Sequence, residues 1–300
     1  MQRRLGMMTF PVYVLLGLIL GPSGLHLSAP PALLFKICAA GFLFVSGMEC
    51  SFQGMGRHLK VVLGISLGSF VIPLALGLFV APLFQFEDFV SSWVFATALS
   101  VSALPVIIQI LRERSLLNHL LGHIIIAAAS LCDIAAWACF MFVLPQEQQA
   151  TWIWSHFPVL FFFLGLLWKL FLPLPGLFLR NIEIASRWIF APIFFIGIGL
   201  QLNIWKSFNL WLALGTIALA FAGKIIGGLL AAKLLKLPKQ EAWIISVALS
   251  ARGAMEVLLA QLAFHSGLIS EMWFTILVIM AIITSLTAGP WLRYLQKKPA

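Results

Sequence analysis

The chain has 300 residues, 62% of them apolar and only 10% charged, with a net charge of +9 and a mean hydropathy of +1.04. This composition excludes a soluble globular domain and selects an all-α polytopic membrane protein with the lipid bilayer as its solvent. The apolar runs are continuous rather than alternating, which excludes a β-barrel, and the basic residues are scattered among them rather than gathered in a stripe, which excludes nucleic acid as a partner.

A bilayer-crossing helix needs about 20 mostly apolar residues, and the chain offers about ten such segments. They fall at about 8–27, 32–50, 59–83, 89–111, 119–144, 152–172, 188–205, 208–233, 242–264 and 272–294. Arg3 and Arg4 before "FPVYVLLGLIL" resemble the start of a signal peptide. No small-x-small cleavage site follows, so the stretch reads as the first span.

Charge tests the count. Under strict alternation Arg3, Arg4, Arg57, Lys60, Arg112, Arg114, Arg180, Arg187, Lys233, Lys236, Lys239, Arg293, Lys297 and Lys298 fall on one side. The other side carries Lys206 with Glu87, Asp88, Glu147 and Glu271. Basic residues mark the cytoplasmic face, so both termini are expected there, with the bacterial inner membrane as the location.

The fourth segment, "SSWVFATALSVSALPVIIQIL", is rich in hydroxyls, including Ser100 and Ser102, and is interrupted by Pro105. Proline removes a helical donor and frees carbonyls of the preceding turn. The ninth, "ISVALSARGAMEVLLAQL", is rich in small residues, with Gly253 beside Arg252. Two interrupted helices five spans apart run in opposite directions, the sequence pattern of an inverted-repeat transporter with a site near the bilayer midplane.

Ionisable residues sharpen this. Lys36 and Lys169 lie near span ends, where long side chains reach the interface. Asp133, Lys224, Arg252 and Glu256 lie deep. An unpaired charge at the bilayer centre costs at least about 2.5 kcal/mol, so these four are expected to face one another, water or a substrate. Arg252 and Glu256 are four apart and can pair. Glu49 ends the second span and reads as a solvated acid. Cys38, Cys50, Cys132 and Cys139 show no CxxC spacing and read as free buried thiols. His26, His58, His119, His123, His156 and His265 show no metal-ligand spacing and read as interfacial; no cofactor is expected.

"ATALSVSALPVIIQILRERSLLNHLLGHIIIAAASLCDIAAW" resembles the fourth and fifth core helices of monovalent cation/proton antiporters of the CPA2 branch, within the sodium/hydrogen exchanger family. "LLGLILGPSGL", "FLFVSGMEC", "APIFFIGIGLQLNI", "FAGKIIGGLLAAKLLKLP" and "LSARGAMEVLLA" extend the resemblance, in order, over nearly all of the chain. It implies an inverted-repeat fold with two broken crossing helices, and exchange of Na⁺ or K⁺ for H⁺. Asp133 matches the carboxylate that binds proton and cation in turn, and Lys224 the basic residue of the facing helix. Arg252 and Glu256 match the "RG…E" segment, and Ser100 and Ser102 lie where auxiliary oxygen ligands are expected. A homodimer is also implied.

Three departures accompany the match. Cys132 stands where relatives carry Asp, Asn or Gln, leaving one carboxylate in the site and a thiol that is a poor ligand for a hard cation. The chain is read as a single exchanger domain over residues 1–300, lacking the usual first helix and about two helices between Asp133 and Lys224. No cytoplasmic regulatory domain is expected beyond Ala300.

Mechanistically, a carboxylate in a dehydrated cavity beside an ammonium lets a proton and a small cation compete for one site. Rocking of the Asp133-bearing bundle against the other spans would supply alternating access. Three alternatives stand beside this: a degenerate, non-transporting member, a carrier of an organic anion using Lys224 and Arg252, and an intramembrane enzyme. HExxH, GxSxG and a second intramembrane aspartate are all missing from the sequence, so no enzyme chemistry is indicated.

Overall fold

The computed structural model describes all residues except 1–8, 26, 28–30, 53–54, 87, 145–148, 173–180, 183 and 298–300. Arg3, Arg4, Arg180, Lys298, Glu87, Glu147 and His26 therefore lie outside the described residues. The described chain is helical. It comprises α1 (Thr9–Leu20), α2 (Ala32–Glu49), α3 (Met55–Val80), α4 (Phe89–Ala98), α5 (Leu104–Glu113), α6 (Leu120–Val143) and α7 (Gln149–Phe171). After these come α8 (Ala191–Gly199), α9 (Leu210–Leu234), α10 (Lys239–Leu249), α11 (Ala254–His265) and α12 (Glu271–Lys297).

Every predicted segment holds helix, and the fourth and ninth are each split in two, as α4 with α5 and α10 with α11. Pro105 marks where the helix restarts after the first split, α4 having ended at Ala98. It sits in the opening turn of α5, where its missing N–H costs nothing. The second split bends by 41° across Ser250–Gly253. Among the described residues, α6, α9, α12 and the span His58–Phe84 are individually long and apolar enough to cross a bilayer, and the bent pair α10–α11 makes a fifth. The sequence count of ten goes beyond what helix length establishes, because broken or short helices such as α4, α5 and α8 fail that test singly.

The chain divides into two compact units. Unit 1 is Met1–Cys50 with Leu144–Phe208, and unit 2 is Ser51–Val143 with Asn209–Ala300. In unit 1, α1 packs on α8 and α2 on α7. Gly47 of α2 lies against the Phe162 carbonyl, and Gly165 of α7 against the Phe44 carbonyl, so a Cβ at either would overlap backbone. Such reciprocal glycines bring helices close where lipid offers no hydrophobic drive to association. A turn of π-helix, Ser186–Phe190, precedes α8, where Pro192 cannot donate back along the helix. Ser23 fastens the end of α1 by donating to Leu202 O (3.0 Å) and accepting from Ile204 N–H (3.2 Å).

In unit 2, α3 packs on α9 through a second reciprocal pair, Gly68 and Gly227, each against the other's carbonyl. α6 lies on α3, with Val62, Ile124 and Ala127 in the contact, and α12 lies on α9. Asp88 caps α4, its carboxylate accepting the Ser91 N–H at 2.6 Å and the Ser91 hydroxyl at 2.6 Å. Those bonds hold the Asp88 carboxyl below the usual carboxylate range. Exchanging the first five predicted segments for the last five preserves the main helix pairings within each unit, α1 with α8 for α7 with α2 and α3 with α6 for α9 with α12. That is the packing signature of an inverted repeat.

The structure adds to two sequence expectations. His156 is 2% exposed, sharing the face of α7 that carries Val159, Phe162 and Leu166 inward. Lys169, exposed on α7, does more than reach the interface: its ammonium donates to Cys50 O at 2.7 Å, at the C-cap of α2.

Candidate functional site

The last carbonyls of a helix have no intrahelical partner. α4 ends at Ala98 inside the protein, with residues 94–104 all buried, so its carbonyls have no bulk water to turn to. Two of the deep cations supply the donors. Arg252 donates from Nη1 to Ala98 O (2.5 Å) and from Nη2 to Leu99 O. Lys224 of α9 donates from Nζ to Ser100 O (2.5 Å) and to Ser102 Oγ (2.7 Å). Three successive carbonyls at the negative end of the α4 dipole are thus held by two fixed positive charges.

The two breaks are strapped directly to each other as well. Ala103 N–H donates to Ala251 O (2.9 Å), and Ser102 Oγ donates to Leu249 O (3.0 Å). Ser100 Oγ donates to Ala96 O at 2.9 Å. The crossing expected from the sequence is therefore present, but its α4 carbonyls are engaged by the protein's own cations.

Asp133 lies on α6, 1% exposed, within electrostatic range of the Lys224 ammonium. α6 packs against α4, α5 and α10, the elements that flank the breaks. The neighbouring Cys132 is fully buried and turned to α3, with its thiol 3.5 Å from Ser69 Oγ and 3.7 Å from Ser66 O. Ser66 in turn donates to Val62 O and Ala128 O. Ser66 and Ser69 were not singled out in the sequence, although two serines three apart in the apolar run "GISLGSF" were the available signal. Three turns from Asp133 toward the N-terminus of α6, His123 and Ile126 join Ser51, Leu117 and Asn118 around a cavity of about 230 Å³.

Arg252 and Glu256 form the pair that their spacing suggested, Nη1 to Oε1 at 3.3 Å, both fully buried. Lys224, Arg252, Glu256, Ser100 and Ser102 thus lie in one connected network, with Asp133 beside it. No group of three or more His, Cys, Asp or Glu is placed to hold a metal ion among the described residues. None of the four cysteines is in a disulfide, and Cys139 is half-buried rather than buried.

Helices crossing at two breaks, with buried charges on each side, define an inverted-repeat membrane transporter. The family model described as "Sodium/hydrogen exchanger, transmembrane" matches residues 1–187 and 183–298, so the chain belongs to the sodium/hydrogen exchanger family. This is a family of integral membrane transporters and not of enzymes. Cation/H(+) antiporter 18 of Arabidopsis thaliana is 24% identical over 320 residues, covering 83% of this chain. The chain spans only 39% of that protein's length. Na(+)/H(+) antiporter NhaS4 of Synechocystis sp. is 25% identical over 375 residues, covering 96% of this chain and 90% of its own. The sodium proton antiporter MjNhaP1 of Methanocaldococcus jannaschii shares the fold, with a TM-score of 0.60 at 14% identity over 96% of this chain and 92% of its own.

Proposed function

We propose that the chain exchanges Na⁺ or K⁺ for H⁺ by alternating access, with Asp133 as the shared cation and proton site. The observation that carries this reading is the placement of one buried carboxylate on α6, the helix packed against both broken pairs, within reach of the Lys224 field. The relatives named as cation/H(+) and Na(+)/H(+) antiporters support it.

With a thiol at Cys132 and not a second carboxylate beside Asp133, one α6 carboxylate serves the exchange, which favours one proton for one monovalent cation. Ser102, held by Lys224, and Ser100 remain the auxiliary oxygens of this reading. Lys224 acts on Asp133 through its field while its hydrogen bonds keep the α4 break in place. Ten spans with both termini cytoplasmic, in a bacterial inner membrane and as a homodimer, belong to the same proposal. The one-sided basic residues support the orientation.

The competing reading is a family member that has lost transport through a shortened scaffold. It draws on the alignment to the Synechocystis relative, which runs over 375 positions against 300 residues here. The segment between Asp133 and Lys224 that carries the expected shortening contributes Leu144–Phe208 to unit 1. Proteoliposomes holding a pH dye decide between them. A proton signal on adding Na⁺ or K⁺ that disappears in Asp133→Asn is the expected result. A folded wild type silent to both cations would leave the non-transporting reading in place.

A further inference from the structure

Glu256 stands in the first turn of α11 and is fully buried. Its Oε1 receives one long contact, 3.3 Å from Arg252 Nη1. That same nitrogen makes its short bond, 2.5 Å, to Ala98 O, and Nη2 is given to Leu99 O. Among the described residues Glu256 Oε2 meets no hydrogen-bond donor and Arg252 Nε no acceptor. A buried arginine–carboxylate pair is compensated when the guanidinium lends two parallel N–H groups to both oxygens. Here the guanidinium faces α4, and the carboxyl is left with one stretched contact.

The other charge acting on Glu256 is Lys224 of α9, whose own hydrogen bonds also go to the α4 break. α4 contributes the Ala98 and Leu99 carbonyls through Arg252. α10 and α12 carry their ionisable groups near their ends, at Lys239, Glu241, Glu271, Arg293, Tyr294 and Lys297. A bare carboxylate so placed in a dry interior is far more costly than a neutral acid.

We propose that Glu256 is a proton-binding site of the crossing, separate from Asp133. A proton occupies Oε2 while Arg252 caps α4. When the proton leaves to water, the resulting carboxylate draws Arg252 Nη1 toward itself and away from Ala98 O, loosening the cap. The reaction is one reversible protonation and needs no other reactant. Any effect of this site on exchange rests on the proposed antiport, whereas its occupancy by a proton does not.

The test is acid-minus-alkaline infrared difference spectroscopy of the full chain in lipid bilayers, read in the carbonyl-stretch region of protonated carboxylic acids. A band that is lost in Glu256→Gln, shifted in Glu256→Asp and retained in Asp133→Asn is the expected result. The aspartate variant keeps a carboxyl and covers the case in which the glutamine variant does not fold. Spectra of both Glu256 variants that match the wild type in this region would overturn the proposal. Because the spectrum needs no transport, a failure of the antiport reading would appear only in the dye assay.

Discussion

The two units meet the same elementary problem, a helix whose last carbonyls lack partners, and answer it with the same residue type in opposite surroundings. In unit 1 the exposed Lys169 donates to Cys50 O at the end of α2. In unit 2 the fully buried Lys224 donates to Ser100 O at the end of α4. The first lysine is itself exposed, so its end of the bond is open to the surroundings although Cys50 is buried. Nothing but protein can replace the second, so its contact is obligatory in a way the other is not. All four deep charges lie in unit 2, while unit 1 is joined by close glycines and by aromatic contacts such as Phe35 with Phe194 and Phe42 with Phe195.

The largest expected effect follows from removing a buried cation. Arg252→Ala leaves Ala98 O and Leu99 O, both buried, without donors, and each unsatisfied carbonyl is expected to cost about 1–3 kcal/mol. The loss would be read as a fall in thermal midpoint, or as loss of monodisperse protein in detergent. A midpoint equal to wild type would break the distinction between the units.

Close glycines test whether the units share a second device. Gly68→Ala in unit 2 and Gly47→Ala in unit 1 each force a Cβ into backbone. Each is expected to cost about 1–3 kcal/mol, similar for the two, by the same thermal measurement.

Smaller still is the cap of α4. Asp88→Ala should cost about 1 kcal/mol. The Ser91 hydroxyl and N–H hold the Asp88 carboxyl below its ordinary range, so the stabilisation is complete above the unfolded carboxylate's range and fades as pH falls through the folded one. The gap in midpoint between wild type and Asp88→Ala should therefore narrow in acid, and a constant gap would show that the charge is immaterial. At the bottom of the scale stands Lys169→Met, expected to cost about 0.5 kcal/mol, since the lysine end of the bond is exposed. A cost near that of Arg252→Ala would show that this carbonyl depends on its lysine as the α4 carbonyls do on Arg252.

Much of the site was legible because its signals are local. Pro105 flagged the interrupted segment and lies in the opening turn of α5, and an acid or base inside an apolar run announces itself wherever it stands. The four-residue spacing of Arg252 and Glu256 brought out their pairing, though not its poor geometry. The buried state of His156 was missed because the packed face of α7 depends on α2, a helix more than a hundred residues earlier in the chain. Cys132 read as part of the ion site from its place beside Asp133; its thiol lies within electrostatic range of Lys224 and also meets Ser69 and Ser66 of α3, contacts that depend on a helix 63 and 66 positions earlier.

The sequence by itself determined that the chain resides in a bilayer, where its helices lie, where two of them break and which charges lie deep. These follow from transfer free energy and backbone sterics, which each short stretch carries with it. Only the tertiary structure decided that Arg252 and Lys224 spend their charge on the end of α4, that Glu256 is left half compensated, and that the chain divides into two units. Those outcomes depend on helices brought together across separations such as the 124 positions between Ser100 and Lys224. In a buried crossing with no water to share, the three-dimensional placement of each donor alone settles which carbonyl it must satisfy.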